Sequence, residues 1–106
     1  MEKGVGTYAW FKSAKRRRII VMSMTEDGLN PTEISKNTRK YGNRITLPSI
    51  NRVLKELIKV EIVACTDTSI YHGRPYSLTP KGKAFQERIS QSNYFEKEDD
   101  EGPGQY

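Results

Sequence analysis

Cysteine, histidine and long apolar segments are scarce in this sequence, and each scarcity excludes a class of protein. The 106 residues include one cysteine, Cys65, and one histidine, His72. A lone cysteine cannot form an internal disulfide, so a small secreted fold stabilised by disulfide bonds is excluded. Cys65 ends the apolar stretch 62–65, which favours a small buried side chain over a nucleophile. His72 has no second histidine, cysteine pair or carboxylate at ligand spacing, so we expect no metal site.

Membrane and export signals are also missing. The longest apolar run has four residues, whereas a helix needs about 20 to cross a bilayer. The first residues, Met1–Gly4, lead into polar and aromatic residues rather than into the apolar core of a signal peptide. We therefore expect a cytoplasmic protein with no membrane partner, and the length fits a single domain.

The residues that catalysis requires are few and scattered. An active site holds an acid, base or nucleophile together in a pocket. The single cysteine and the single histidine fall on one predicted hairpin, and the carboxylates lie singly or in the C-terminal tail. The stretch Gly4-Val5-Gly6 lacks the third glycine and the preceding strand of a phosphate-binding loop. We expect no enzyme, no cofactor and no small-molecule effector.

Basic charge is abundant and unevenly distributed. The formal net charge is +5, but residues 96–101 hold five acidic residues and one basic residue. The rest of the chain holds 17 basic and 8 acidic residues, a net charge of +9. A body this basic attracts polyanions, of which nucleic acid is the most common in a cell. Charge alone leaves a solvated basic surface equally open.

Helix signals divide the first half of the chain. Residues 1–12 contain an aromatic cluster too short for a domain, and we interpret them as an N-terminal arm that packs either on the body or on a second subunit. A first helix is predicted from Ser13, as N-cap, to about Met24. Its basic run, 15–18, is expected to be mostly exposed, either solvated or against a DNA backbone. A second helix is predicted over about 31–39.

The second helix has a strong start signal. Asn30 suits the N-cap, Pro31 suits the first helical position, and Glu33 completes a capping box. The residue of this helix that is predicted to face inward is Ile34.

The third helix, predicted over about 48–60, is the most regular. Apolar residues recur at the spacing of one buried stripe, namely Ile50, Val53, Leu54, Leu57 and Ile58. The opposite face is polar and mainly basic, and consists of Ser49, Asn51, Arg52, Lys55, Glu56 and Lys59.

A hairpin and a last helix follow. The β-branched stretch 62–68 predicts a strand, His72–Pro75 a turn, and Tyr76–Leu78 a returning strand. Thr79 is expected to cap a helix that runs to about Ser92.

The predicted elements fit one fold class. We expect an α+β, mainly α, winged helix-turn-helix, with three helices, a two-stranded wing and a C-terminal helix. Its domain spans 13–92. The acidic and then Gly/Pro-rich segment 93–106 is interpreted as a disordered tail.

Two segments resemble a known family. Residues 54–63 look like the end of the recognition helix and the start of the wing in winged-helix transcription regulators. Residues 73–82 include Tyr76-Ser77-Leu78-Thr79-Pro80-Lys81-Gly82, which resembles the Tyr-x-Leu-Thr-x-x-Gly pattern of their wing and last helix. MarR-like, PadR-like and small archaeal or bacterial regulators share this pattern, and the resemblance covers roughly 15–90. It implies a regulator that binds double-stranded DNA.

The sequence departs from that family at two places. Such proteins usually carry glycine where Glu61 stands, because a left-handed residue follows the recognition helix, and Glu in that conformation costs about 1 kcal/mol. The connection over 39–46 is also longer than the turn of a simple helix-turn-helix.

The major groove of B-DNA is about 12 Å wide and admits one helix. We expect the third helix to occupy this groove. The wing, over about 62–78, is expected to contact the adjacent DNA backbone or minor groove. Arg52 is the candidate guanine reader, and an ion pair with Glu56 is its alternative. Asn51 and Ser49 are candidates for adenine or phosphate contacts, or for solvated positions. The candidate phosphate contacts are Lys36, Arg39, Lys40, Arg44, Lys55 and Arg74.

Other functions stay open at this point. A winged helix can also serve protein contacts, although the basic outer face favours nucleic acid. RNA binding ranks lower because the deep major groove of RNA does not admit a helix. A homodimer would read two half-sites, and the apolar residues that either form its interface or close the monomer core are Trp10, Phe11, Phe85 and Ile89.

Overall fold

The protein is described by a computed structural model that covers residues 4–67, 69 and 74–91. Within those residues the chain forms five α-helices, one 3-10 helix and a two-stranded sheet. In chain order these are α1 (Tyr8–Lys12), α2 (Lys15–Met22), α3 (Pro31–Asn37), the 3-10 helix Thr38–Tyr41, α4 (Leu47–Lys59), β1 (Val63–Cys65), β2 (Tyr76–Leu78) and α5 (Pro80–Gln91). This order confirms the mainly helical winged-helix fold class.

The segment expected to be an arm contains a helix that joins the body. In α1, the Thr7 hydroxyl caps the first turn by accepting a hydrogen bond from the Trp10 amide at 3.2 Å. Phe11 is fully buried, and its ring stacks on that of Phe85 in α5 with 5.4 Å between centroids. Residues 8–12 therefore contribute to the core instead of extending from it.

Ser13 ends α1 and does not start the next helix, so the predicted start of the first helix is wrong. Its amide donates to the carbonyls of Ala9 and Trp10, and its hydroxyl donates to the Trp10 carbonyl at 2.8 Å. The next helix begins at Lys15 and ends at Met22. A serine satisfies the free groups at either end of a helix, so its residue type alone does not tell which end it occupies.

The predicted start of α3 is confirmed. The Asn30 side chain accepts from the Glu33 amide at 2.9 Å, and the Glu33 carboxylate accepts from the Asn30 amide at 2.9 Å. Ile34 is fully buried, as predicted.

The long connection between α3 and α4 is pinned to α3 by buried hydrogen bonds. The Thr38 hydroxyl accepts from the Ile45 amide at 2.9 Å and donates to the Ser35 carbonyl at 2.6 Å. The Ser35 hydroxyl donates to the Ile45 carbonyl at 2.6 Å. Both hydroxyl residues are fully buried, so the connection is held in one conformation instead of looping into solvent.

Helix α4 lies across the core with its apolar stripe inward. Ile50, Val53, Leu54 and Leu57 are buried, as predicted, but Ile58 is 38% exposed and that part of the prediction is wrong. At about 100° of rotation per residue, Ile58 lies about 80° from Ile50 and so falls at the edge of the stripe.

The wing is short where the structure describes it. Strands β1 and β2 pair antiparallel, with Val63 opposite Leu78 and Cys65 opposite Tyr76, so β1 is shorter than the predicted 62–68. Leu29 and Tyr76 also exchange two backbone hydrogen bonds, of 3.0 and 2.8 Å, which tie the turn before α3 to β2. The predicted turn at His72 and Gly73 lies outside the described residues.

Helix α5 starts at a tight junction with the short segment between α4 and β1. The Thr79 hydroxyl accepts from the Gly82 amide at 3.0 Å, which confirms Thr79 as the cap. A Cβ on Gly82 would lie 2.1 Å from the Ile62 carbonyl oxygen, so glycine lets the two backbones meet. The predicted tail, 93–106, lies outside the described residues. Among the described helices, none combines the length and the apolar character that crossing a membrane requires.

Candidate nucleic-acid interface

The outer face of α4 presents hydrogen-bonding and basic side chains to solvent. Asn51, Arg52 and Lys55 are exposed, and Ser49 is half-buried near the start of the helix. The buried stripe on the opposite side fixes the rotation of α4 about its axis, because turning it would expose Ile50 and Leu57. The helix therefore displays an amide, Asn51, and a guanidinium, Arg52, at adjacent exposed positions.

Glu56, the acidic residue of this face, pairs with Arg17 and not with Arg52. Its carboxylate pairs with the Arg17 Nε at 3.5 Å. The Arg17 guanidinium in turn lies 3.7 Å from the centre of the Trp10 ring, and its Nη1 donates to the Trp10 carbonyl at 2.7 Å. The expected alternative of an Arg52–Glu56 pair is not seen, and Arg52 makes no ion pair or hydrogen bond with the residues that the structure describes.

Four of the candidate phosphate contacts are exposed on consecutive elements. Lys36 lies on α3, Arg39 and Lys40 on the 3-10 helix, and Lys55 on α4. Exposed amines and guanidinium groups suit sequence-independent contacts to a phosphate backbone.

The other two candidates, Arg44 and Arg74, are more constrained. Arg44 is exposed, but its Nε donates to the buried Ser35 hydroxyl at 2.9 Å, which anchors the side chain. Arg74 is half-buried just before β2.

The basic run at the start of α2 is divided between surface and interior. Lys15 and Arg16 are exposed, Arg17 is half-buried against Trp10, and Arg18 is buried. The expectation of a mostly exposed run is wrong for Arg18, whose Nη1 donates to the carbonyl of Lys12 at the end of α1. The link from Trp10 through Arg17 to Glu56 was missed by sequence reasoning, because Arg17 and Glu56 lie 39 positions apart.

Two of the four candidate dimer residues are internal. Phe11 and Ile89 are fully buried within one chain, so these two side chains take the second of the two expected roles and close the monomer core. Trp10 and Phe85 are half-buried. Phe85 packs edge-on against Tyr8 with 5.4 Å between ring centroids, so it too helps to close the monomer core.

Two side chains in the described part of the chain have a shifted pKa. Burial raises the pKa of Tyr41, whose hydroxyl donates to the Met22 carbonyl at 3.3 Å. Two hydrogen bonds from Ser69 lower the pKa of Asp67. Within the described part of the chain, no three His, Cys, Asp or Glu side chains are grouped where they could hold a metal ion.

The architecture matches a known structure. A solved PadR family transcription regulator from hypervirulent Clostridium difficile R20291 superposes with a TM-score of 0.57 and 24% sequence identity, over 76% of this chain and 90% of that chain. The chain has a PadR-like winged-helix fold. The resemblance predicted from the sequence is thus confirmed at the level of the fold. No protein-family model and no curated protein matches the sequence.

Proposed function

We propose that this PadR-like protein is a transcription regulator that binds double-stranded DNA, with α4 in the major groove. The observation that supports this most directly is Arg52, an exposed guanidinium on α4 with no partner among the described residues. Arg can donate two hydrogen bonds to the O6 and N7 atoms of guanine. The side-chain amide of the adjacent Asn51 can donate a hydrogen bond to N7 of adenine and accept one from its N6 amino group.

The position of Glu56 supports the same proposal. A carboxylate one turn from Arg52 would both occupy the guanidinium and repel phosphate. Pairing with Arg17 at 3.5 Å holds that charge towards α2. The exposed face near the start of α4 is thereby left cationic.

The remaining contacts divide by element. Lys36, Arg39, Lys40 and Lys55 contact phosphates, which contributes affinity without sequence information. The wing, with Arg74 at its base, contacts the neighbouring backbone or minor groove. A lone domain of this size covers few base pairs, so we also propose that a homodimer reads two half-sites about one helical turn apart. This function involves no enzymatic chemistry and takes place in the cytoplasm.

The test is a gel-shift selection from random duplexes at two salt concentrations, followed by two variants. Arg52→Ala should weaken binding to the selected site by about 1–3 kcal/mol and relax its specificity. Lys55→Ala should weaken all duplexes alike and reduce the salt dependence. Lys83→Ala, on α5, is the matched control and should bind as the wild type does.

Two outcomes would contradict the proposal. If Arg52→Ala binds selected and random duplexes as the wild type does, Arg52 is not the base reader. If the wild type binds no duplex at low salt, the surface serves a protein partner or RNA instead.

A further inference from the structure

A cleft of about 380 Å³ lies between the start of α2, the α3–α4 connection and the start of α4. Its basic lining comes from two elements, Lys15 and Arg16 on α2 and Arg44 on the connection. Thr46 and Ser49 line it at the first turn of α4. Three cationic groups thus surround one concave space at the edge of the exposed face of α4.

The first turn of α4 is open to an anion. Thr46 is the N-cap, but its side chain accepts no hydrogen bond from the helix, and Pro48 in the first turn has no N–H. The amides of Leu47 and Ser49 have no partner among the described residues. By contrast, α3 is closed by its capping box. Free amides at the start of a 13-residue helix attract negative charge.

Arg44 is held in place before any ligand arrives. Its Nε donates to Ser35 at 2.9 Å, and Ser35 is itself fixed by its hydrogen bond to the Ile45 carbonyl at 2.6 Å. The Nη groups of Arg44 make no hydrogen bond to the residues that the structure describes. An arginine anchored in this way loses less side-chain freedom when its remaining N–H groups bind a phosphate.

We propose that this cleft binds one backbone phosphate of the duplex whose bases α4 reads. The inference rests on the proposed function and extends its interface to α2, a helix outside the helix-turn-helix pair α3 and α4. A phosphodiester carries one negative charge and two free oxygens, which Arg44 and Arg16 can each bind through parallel N–H groups. Ser49 connects the cleft to the base-reading face, so the phosphate contact sets the depth of α4 in the groove.

The first experiment measures duplex binding against salt for Lys15→Gln/Arg16→Gln. We expect binding to weaken about tenfold, and the slope of log K against log salt to fall by about one, as for the loss of one phosphate contact. The matched control, Lys12→Gln/Lys83→Gln, removes two charges from α1 and α5 and should change binding less than about twofold. Circular dichroism and thermal unfolding check that both variants fold as the wild type does.

The second experiment does not use DNA. Inorganic phosphate is titrated into the ¹⁵N-labelled full chain against chloride at equal ionic strength. The amide signals of Leu47 and Ser49 should shift and saturate in the wild type, and should not shift in Lys15→Gln/Arg16→Gln.

The inference stands only if both results are obtained. If the wild type binds duplex and the cleft variant behaves as the control does, the cleft is only a solvated basic surface and the proposed function survives. If the wild type binds no duplex, the proposed function itself fails. If the two amides do not respond to phosphate, the cleft is not a phosphate site, whatever the duplex result.

Discussion

The hydroxyl of Thr79 donates a hydrogen bond of 2.6 Å to the carbonyl of Glu61, and so joins the cap of the last helix to a residue two positions after the end of α4. The same oxygen accepts from the Gly82 amide. One side chain therefore closes the start of α5 and fixes how α5 meets α4. This junction gives a physical reason for the Thr-x-x-Gly spacing.

The cap predicts a graded effect of substitution at Thr79. Thr79→Ala should lower the free energy of unfolding by about 1–2 kcal/mol, because a cap and a hydrogen bond to Glu61 are both lost. Thr79→Ser keeps the hydroxyl and should lower the free energy of unfolding by less than half of that amount. Urea unfolding followed by circular dichroism measures both. Equal losses for Ala and Ser would show that the methyl group, and not the hydroxyl, is what matters.

Gly82 should not tolerate even one added carbon. Gly82→Ala places a Cβ 2.1 Å from the Ile62 carbonyl oxygen, and the shift needed should lower the free energy of unfolding by about 1–3 kcal/mol. Helix propensity alone predicts that Gly82→Ala raises the free energy of unfolding by about 1 kcal/mol. Thermal unfolding of the variant therefore decides between the steric clash and the propensity. Ser90→Ala, at an exposed position of the same helix, is the control and should be neutral or slightly stabilising. A more stable Gly82→Ala would mean that the two backbones are not in contact.

Glu61 has a positive φ of 62°, so the residue that stands where the family usually has glycine nevertheless adopts the left-handed conformation. Glu61→Gly should raise the free energy of unfolding by about 0.5–1 kcal/mol, because relief of the strain exceeds the added chain entropy. Glu61→Asn should also stabilise, and Glu61→Val should destabilise, since a β-branched residue avoids this region. Chemical denaturation of the three variants supplies the ranking. A Glu61→Val variant as stable as Glu61→Gly would contradict it.

The Arg17 link predicts a loss of duplex binding that a second substitution repairs. In Arg17→Ala, Glu56 loses its partner and faces Arg52 one turn earlier on α4, so duplex affinity should fall about three- to tenfold, which is about 0.7–1.4 kcal/mol. Arg17→Ala/Glu56→Gln removes the competing charge and should recover most of the affinity. Fluorescence anisotropy with the selected duplex measures each variant. If the double variant binds as weakly as Arg17→Ala, the loss comes from Arg17 itself and not from Glu56.

Features encoded by neighbouring residues were predictable, and features made by distant ones were not. The capping box of Asn30 and Glu33 and the buried stripe around Leu54 depend on spacings of three and four residues, so the sequence displays them directly. The pairing of Arg17 with Glu56 depends on how α2 packs against α4. No local spacing reveals it.

The candidate site divides in the same way. Arg52 and Lys55 could be placed on an exposed face because the periodicity of one helix defines both of its sides. The grouping of Arg16 with Arg44 required the tertiary fold. The sequence left Phe11 open between the core and an interface, because a five-residue helix produces too few turns for a periodic signal.

The backbone bridge between Leu29 and Tyr76 has a mechanical consequence. Because it ties the base of the wing to the turn that leads into α3, the wing and the helix pair form one rigid frame at that point. Gly28 reinforces this connection, since a Cβ there would lie 2.8 Å from the Cβ of Pro75. The distance between the exposed face of α4 and the base of the wing is thus fixed by the fold of the single chain, so a substitution at Gly28 that moves this turn should also move β2 relative to α3 and α4.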